Sequence, residues 1–268
     1  MKFKDNVVLV VGSATGMGNA TVKQLLREGA HVIAFDVRED ALEELAEEVR
    51  EDPAQYCGSL ETYPGDVNDT EKRRGVAQMI RGKYGRLDTL AYIAGTLDNM
   101  TPAHDLDDEL WDYVMDVNVN SAFRMVRETL PLLTDHEGRA ANIVVVGSVG
   151  GIYGSTAGAA YITSKHAVLG LAKNLAWTYR SRNLRVNVVN PGAVMTSILE
   201  NSMIKWPDRD LVHPEGAEPY TVKGAVSLGE GVMGEPEDIA QAVCFLISGD
   251  AKFINGAELT VDGGWTSF

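Results

Sequence analysis

The stretch VVLVVGSATGMG, residues 7–18, sets a run of apolar residues directly before closely spaced glycines. The apolar run predicts a buried strand, and the segment from Met17 to Glu28 predicts a helix. Glycines at such a turn let the backbone approach a pyrophosphate, which the N–H groups and dipole of the helix stabilise. A tight turn without a ligand has a similar composition, so the stretch alone leaves both interpretations open.

Short apolar runs alternate with longer amphipathic stretches along the rest of the chain. Continuous apolar strands separated by helices are typical of a parallel sheet covered on both faces. We therefore predict an α/β fold in which residues 1–268 form a single domain around a doubly wound parallel sheet. Further strands are predicted at 31–36, 60–66, 87–95, 141–148, 184–192 and 257–263, and further helices at 39–52, 70–85, 107–133, 157–179 and 236–248.

Composition and charge restrict the partners. The formal net charge of −14 disfavours nucleic acid and anionic membranes, which the summed field repels. No stretch approaches the roughly 20 apolar residues that cross a bilayer, and the N-terminal apolar run is too short for a signal peptide. Cys57 and Cys244 lie far apart, without a CxxC pair or Cys/His cluster. We expect a cytoplasmic, reduced protein that binds no metal.

One long segment, at about 194–232, breaks the alternation. It mixes polar and apolar residues, contains three prolines and has no sustained period. A connection of this length inside a compact domain is usually a functional lid or a disordered segment. We predict a lid over a substrate.

Asp36 ends the second predicted strand, about twenty residues after Gly16. A carboxylate at this place accepts hydrogen bonds from the adenosine ribose hydroxyls and would repel a 2′-phosphate. Asp36 therefore favours NAD over NADP, whereas Arg38, two residues later, favours the opposite choice. An ordinary acidic residue at a strand end is the alternative.

The stretch AAYITSKHAV, residues 159–168, places Tyr161 and Lys165 on one face of a predicted helix. A lysine cation beside a phenol stabilises the phenolate, so we predict a lowered pKa for Tyr161 and a role as general acid and base. Ser148 ends a predicted strand, where its hydroxyl would meet a substrate oxygen at the sheet edge. The alternative is a core tyrosine with a lysine extending past it to solvent.

These motifs together resemble the short-chain dehydrogenase/reductase family: GxxxGxG near the N-terminus, a serine before YxxxK, and a later PGxxxT. The resemblance extends from Val7 to Gly264, with the motifs in the family's order and spacing. It implies a Rossmann-like fold and an NAD-dependent enzyme that interconverts a secondary alcohol and a ketone. It also implies a homo-oligomer, since relatives are commonly tetramers.

The resemblance also assigns catalytic roles. Tyr161 would exchange the proton with the substrate oxygen, Lys165 would lower its pKa and bind the nicotinamide ribose, and Ser148 would hold the oxygen. Asn118, in DVNVNSAF, would steady a water in a proton relay.

The cofactor contacts implied by the resemblance are spread over several motifs. They are Gly12, Ala14, Thr15, Gly16, Met17 and Gly18 in the first turn, Asp36 and Val37, Asp66 and Val67 at the adenine, Ala94 and Gly95, Pro191, Gly192, Val194 and Thr196 at the nicotinamide, and again Tyr161 and Lys165.

Two positions depart from the family pattern. Val11 replaces the usual threonine, and YIAG, with Tyr92 and Ile93, replaces NNAG. In relatives the threonine and an asparagine of that motif help to tie neighbouring strands together. We hypothesise that an apolar contact between Val11 and Ile93 replaces this polar tie without leaving an unpaired buried group.

The substrate is less constrained than the reaction. Apolar residues of the predicted lid, among them Ile198, Ile204 and Trp206, suit a hydrophobic, cyclic alcohol such as a steroid or terpenoid. Tyr153 is a further candidate for the substrate pocket. A 3-oxoacyl-carrier-protein reductase, which would usually prefer NADPH, and a non-catalytic dinucleotide-sensing regulator are the alternative functions.

Overall fold

Seven parallel strands form one sheet in the order β3-β2-β1-β4-β5-β6-β7 in a computed structural model. The structure describes residues 1–135, 138–154, 157–207, 209–210, 212–216 and 233–267. The strands are β1 Val7–Val11, β2 His31–Asp36, β3 Ser59–Pro64, β4 Thr89–Tyr92, β5 Ala141–Val146, β6 Leu184–Pro191 and β7 Glu258–Val261.

Helices cover both faces of the sheet, as the sequence predicted for a doubly wound single domain. Val7, Leu9 and Val11 of β1 face one core layer, while Val8 and Val10 face the other, because successive side chains of a strand alternate. The first layer packs against α3, α5 and α6, and the second against α1, α2 and α8. Within the described residues, the α-helices are α1 Gly16–Arg27, α2 Glu39–Glu51, α3 Thr70–Tyr84, α4 Asp108–Met115, α5 Ser121–Thr134, α6 Ala159–Tyr179, α7 Ile198–Met203 and α8 Pro236–Ile247.

The strand order determines where the sheet can form a ligand-binding crevice. The chain winds outward from β1 to β3 and then returns to β4 on the other side of β1. Where the order reverses, the loops at the carboxyl ends of β1 and β4 separate and open a crevice. The glycine-rich turn follows β1, and the YIAG motif overlaps the end of β4, so both lie at this crevice.

The predicted helix at 107–133 is interrupted. A π-helix at Asp116–Asn120 joins α4 to α5. The carbonyl of Val117 accepts hydrogen bonds from the hydroxyls of Tyr92, at 3.1 Å, and Ser121, at 2.5 Å. π-Helical turns are rare and frequently mark functional sites, and this one contains Asn118.

The hypothesis of a side-chain contact between Val11 and Ile93 is wrong. The two backbones do meet, since the carbonyl of Val11 accepts from the N–H groups of Ile93 and Ala94, both at 2.9 Å. Val11 is in register with Tyr92, however, and these two side chains share one core layer while Ile93 lies in the other. Alternation along β4 therefore makes Tyr92, with its bonded hydroxyl, the neighbour of Val11.

Candidate active site

The glycine-rich turn is packed too closely for any other residue at two of its glycines. A Cβ at Gly12, where φ is +81°, would lie 2.5 Å from the nitrogen of Ala94. A Cβ at Gly18 would lie 1.8 Å from the carbonyl oxygen of Gly12. The helix that follows has Thr15 as its N-cap residue without a side-chain capping bond. Its first N–H groups are therefore placed to bind a phosphate.

A cleft at the carboxyl edge of the sheet gathers most of the predicted cofactor contacts. The other predicted contacts do not line it, namely Ala14, Tyr161, Lys165, Pro191, Gly192 and Val194. The backbone N–H of Ala14 is bonded to Asp36, and Val194 pairs with Gly234 beyond the end of β6. The predicted residues that line the cleft are Gly12, Thr15, Gly16, Met17, Gly18, Asp36, Val37, Asp66, Val67, Ala94, Gly95 and Thr196.

Asp36, at the end of β2, lines this cleft and is oriented by the backbone. Its two carboxylate oxygens accept from the N–H groups of Ala14 and Arg38, each at 3.0 Å. A carboxylate oxygen accepts more than one hydrogen bond, so both retain capacity for ribose hydroxyls. The guanidinium of Arg38 is engaged by Asn201, at 3.2 Å, and Asp40, at 3.5 Å.

The residues present fit a dinucleotide. The glycines leave room for the backbone to approach a pyrophosphate, and Asp36 faces the cleft with unused acceptor capacity. The Thr96 hydroxyl is buried beside the cleft and has no hydrogen-bond partner in the described part of the chain. Such a group is suited to a polar ligand atom.

The four predicted catalytic residues come from three neighbouring parts of the fold. Ser148 follows β5, Asn118 lies in the π-helix, and Tyr161 and Lys165 lie on α6. The side-chain amide of Asn118 is bonded to the backbone of Thr96, at 2.8 and 3.0 Å, and to the Ser164 hydroxyl, at 2.9 Å. The Nζ of Lys165 donates to the carbonyl of Val146 at 3.0 Å and lies 5.5 Å from the centre of the Tyr161 ring. The Ser148 side chain lies close enough to the Tyr161 phenol to lower its pKa, and its hydroxyl accepts from the backbone N–H of Gly150 at 3.0 Å. All four side chains are buried.

The predicted lowering of the Tyr161 pKa is wrong for the protein without cofactor. Burial raises the pKa of Tyr161 to about 12, and the nearby Ser148 side chain offsets only part of this effect. Burial also lowers the pKa of Lys165 to about 8. Both shifts have the same cause, because a low-dielectric surrounding disfavours the charged form of each group. The spacing of the two residues in the sequence predicts that they attract each other, but it does not predict the desolvation that raises the pKa of Tyr161 and lowers that of Lys165.

Comparison with known proteins identifies the family. A protein-family sequence model that is described as enoyl-(acyl carrier protein) reductase matches residues 12–266 of this chain. A short-chain dehydrogenase/reductase of Talaromyces verruculosus is 33% identical over 268 residues, which cover 99% of this chain and 98% of the relative. This chain belongs to the short-chain dehydrogenase/reductase family.

Two further short-chain dehydrogenase/reductase relatives bear on the site. A 3β-hydroxysteroid dehydrogenase of Eggerthella lenta is 32% identical over 260 residues, covering 97% of this chain and 94% of the relative. The crystal structure of levodione reductase superposes with a TM-score of 0.81 at 29% identity and covers 99% of each chain. The fold and the type of oxidoreductase are therefore those of the family.

Several site residues of this short-chain dehydrogenase/reductase lie outside the predicted motifs. Asn190, just before the PG motif, accepts from the backbone N–H of Ser148 at 3.1 Å. Asp98 binds the first turn of α6, and Ser164 orients Asn118. Asn190 and Asp98 follow or end strands at the carboxyl edge, which is the signal that could have marked them. No local pattern marks Ser164.

Two weaker candidates, Tyr153 and Trp206, have other surroundings than a substrate pocket. Tyr153 is partly exposed, and its hydroxyl donates to the carbonyl of Thr266 at 3.4 Å. Trp206 packs edge-on against Tyr113, with ring centres 4.8 Å apart, and does not line the cleft. Most of the predicted lid that follows, residues 217–232 together with 208 and 211, lies outside the described residues.

Metal binding stays untested. Within the described ranges, His104, Asp105 and Glu215 offer ligand atoms within 4.8 Å of one another. All three are exposed, and His104 pairs with Glu215 at 3.3 Å and with Asp105 at 3.5 Å. The contacts among these side chains are enough to explain why they lie together. The predicted absence of a metal stays a prediction.

Proposed function

We propose that this protein is an NAD(H)-dependent oxidoreductase that interconverts a secondary alcohol and a ketone on a hydrophobic, cyclic substrate. The observation that carries the proposal is the burial of Ser148, Tyr161 and Lys165 in one site, with the Lys165 Nζ 5.5 Å from the centre of the tyrosine ring and Ser148 near enough to lower the tyrosine pKa. Lys165 binds the carbonyl at the end of β5 and lies next to Gly95, which lines the cleft, so these groups adjoin the cleft at the carboxyl edge of the sheet. A paired donor and acceptor at this edge suits a reacting oxygen.

Each catalytic residue has a defined task in this reaction. When bound, the nicotinamide supplies or accepts the hydride. Ser148 binds the substrate oxygen, and Tyr161 donates its hydroxyl proton to that oxygen in reduction or accepts the proton in oxidation. Lys165 provides a positive charge near the phenolate that forms when the proton leaves. Asn118, held by Thr96 and Ser164, orients the polar groups behind Lys165.

Asp36 supports NAD as the cofactor, and its replacement tests that choice. We expect Asp36→Ser to weaken NADH binding about 10- to 100-fold, because hydrogen bonds to a charged acceptor contribute about 1.5–3 kcal/mol. NADPH binding should improve, because the negative charge opposite the 2′-phosphate is removed. Separate fluorescence titrations of NADH and NADPH measure both changes. Glu43→Ser, an exposed charge-matched change on α2, should alter neither affinity. Tighter binding of NADPH than NADH to the unmodified protein would contradict the assignment.

The cleft supports a hydrophobic substrate. Ile198 and Ile204 from the lid segment and Tyr113 and Val117 from the α4 region contribute to its lining. The relative named a 3β-hydroxysteroid dehydrogenase supports a steroid-like alcohol. The described start of this segment lies at the cleft, because Ile198 and Ser202 line it and the Ser202 hydroxyl accepts from the N–H of Leu97 at 2.9 Å. We infer that 194–232 closes over the substrate.

A panel of secondary alcohols tests the substrate class. The panel contains steroid and terpenoid alcohols and 3-hydroxyacyl thioesters, with NADH formation followed by absorbance. Turnover of the cyclic alcohols supports the proposal. Turnover confined to the thioesters, with preference for NADPH, would favour a 3-oxoacyl-carrier-protein reductase, which the 33% identity to the enzyme of that name from Thermotoga maritima supports. Tight NADH binding without any turnover would favour a regulator.

We also propose a cytoplasmic homotetramer. Phe123 on α5 and Trp177 on α6 expose 47% and 69% of their surface, so these helices have apolar area available for a contact between subunits. In the part of the chain that the structure describes, no helix has both the length and the apolar character to span a membrane. Sedimentation velocity measures the oligomeric state directly.

A further inference from the structure

Asp98 is a fully buried carboxylate that the reaction assigned above does not use. It follows β4 in the loop at 96–101. One carboxylate oxygen accepts from the N–H of Gly158 at 3.0 Å, and the other accepts from the N–H of Tyr161 at 2.8 Å. A buried carboxylate with two backbone donors is held firmly and holds its partners equally firmly.

The first turn of α6 depends on this carboxylate. The N-cap residue of the helix is Gly158, which has no side chain to bind the free N–H groups of the first turn. The carboxylate of Asp98, which lies in a loop distant in sequence, accepts hydrogen bonds at this helix start instead. The approach is close, since a Cβ at Gly158 would lie 2.6 Å from a carboxylate oxygen of Asp98 and 2.5 Å from the nitrogen of Thr101.

The loop that carries Asp98 is itself tied to the other parts of the site. The carbonyl of Asp98 accepts from the backbone N–H of Thr101, at 2.9 Å, and from its hydroxyl, at 2.5 Å. Thr96 at the start of the loop binds the amide of Asn118. Movement of Asp98 would therefore displace the start of α6 relative to Asn118.

We propose that Asp98 is a positioning residue, whose carboxylate holds the first turn of α6 and thereby places the Tyr161 hydroxyl against Ser148. This inference rests on the proposed function, in which Tyr161 exchanges the proton. Asp98 touches neither the substrate nor the reacting atoms.

The charge of Asp98 also acts on the tyrosine. Among the residues that the structure describes, the titratable groups that face Tyr161 are Lys165 on its own helix and Asp98 from the loop, while the nearby Ser148 hydroxyl lowers the tyrosine pKa. α4, which also packs against α6, contributes Leu110 and Val114 to an apolar cluster with Ala160. The negative charge of Asp98 raises the pKa of Tyr161. Its removal should therefore shift the tyrosine titration to lower pH, which a purely structural role would not do.

Asp98→Asn tests the proposal because it removes the charge and one of the two acceptors at nearly constant volume. We expect kcat to fall on the order of tenfold, with the KM for NADH changed less than twofold, since misplacement of a catalytic group lowers the chemical step. The second measurement is the ¹³Cζ tyrosine NMR titration of the variant and the unmodified protein, each with a Tyr161→Phe counterpart to assign the resonance. In Asp98→Asn the midpoint of the Tyr161 titration should lie at a pH lower by about half a unit than in the unmodified protein. Circular dichroism defines the pH range in which the fold is retained.

Asp69→Asn is the matched control. Asp69 also accepts from two backbone N–H groups at a helix start, those of Glu71 and Lys72 at α3. The Asp69→Asn variant should leave kcat and the Tyr161 titration unchanged. Changes in Asp69→Asn as large as those in Asp98→Asn would overturn the proposal. A loss of kcat in Asp98→Asn without a shift of the resonance would also overturn it. If Asp98→Asn does not fold, Asp98→Ser removes the same charge and retains a hydroxyl acceptor. The NMR result decides even if no alcohol is turned over, so a failed proposed function is distinguishable from a failed role for Asp98.

Discussion

Tyr161→Phe is expected to lower kcat by about 10³-fold while NADH binding changes less than about twofold. The hydroxyl is the group that exchanges a proton with the substrate oxygen, and positioned general acid–base catalysis contributes about 10²–10⁴-fold. The ring remains to fill the same buried space, so the cleft should keep its shape. Steady-state kinetics with the best alcohol of the panel and NADH fluorescence titration measure the two quantities.

Tyr56→Phe is the control for the loss of a buried tyrosine hydroxyl. Tyr56 is also buried, but it lies in the core layer that contains α1, α2 and α8, and its hydroxyl donates to Glu48 at 3.1 Å. Its kcat should stay within twofold of the unmodified protein. Retention of most activity in Tyr161→Phe would remove this residue from the proton transfer and with it the proposed mechanism.

The high pKa of Tyr161 predicts opposite pH dependences for the two directions of the reaction. With a pKa of about 12, Tyr161 carries its proton at neutral pH. Ketone reduction uses this protonated form and should not increase as the pH rises. Alcohol oxidation needs the deprotonated form and should increase with pH. Profiles of kcat/KM in each direction check this, and oxidation that is fastest at acidic pH would contradict it.

Lys165→Met should abolish most activity and yet stabilise the protein without cofactor. We expect kcat to fall at least about 10²-fold, because the cation that stabilises the developing phenolate is removed. The folded pKa of Lys165 is about 8, against 10.5 for an exposed lysine. Between these two pH values the unfolded chain binds more protons, so folding stability decreases as the pH falls from 10.5 to 8 and stays reduced below 8.

The lysine therefore destabilises the folded protein at neutral pH. Part of the gain from its removal is offset by the lost hydrogen bond to the carbonyl of Val146. We expect a net gain on the order of 1 kcal/mol in the free energy of unfolding, or a few degrees in Tm, at pH 7. The gain should vanish above pH 10.5, where the lysine is neutral in both states. Thermal denaturation at the two pH values measures this.

Lys173→Met provides the control for the lysine. Lys173 lies on the same helix but is 63% exposed, and its ammonium pairs with Glu258 at 2.6 Å. Exposed ion pairs contribute about 0–1 kcal/mol, so its removal should change Tm little and leave kcat unchanged. A lower Tm for Lys165→Met at pH 7 than for the unmodified protein would show that burial of the lysine is not a destabilising feature.

Most of the fold was predictable from local patterns. The strands β1 and β2 begin and end where the apolar runs do, and α2 and α3 match their predicted ranges within a residue at each end. The break between α4 and α5 was not predicted, and at this break the hydroxyl of Tyr92, from β4, donates to the carbonyl of Val117 in the π-helix. A hydrogen bond between residues distant in sequence leaves no periodicity along the helix.

The sequence by itself determined the elements whose causes are local: the strand and glycine turn at 7–18, and the shared helix face of Tyr161 and Lys165, four residues apart. Only the tertiary structure decided how these groups behave. Asp98 reaches Tyr161 across 63 residues of chain, and burial raises the tyrosine pKa despite the nearby lysine. The reason is that spacing specifies which side chains are neighbours along one element, whereas desolvation and long-range hydrogen bonds depend on everything packed around them.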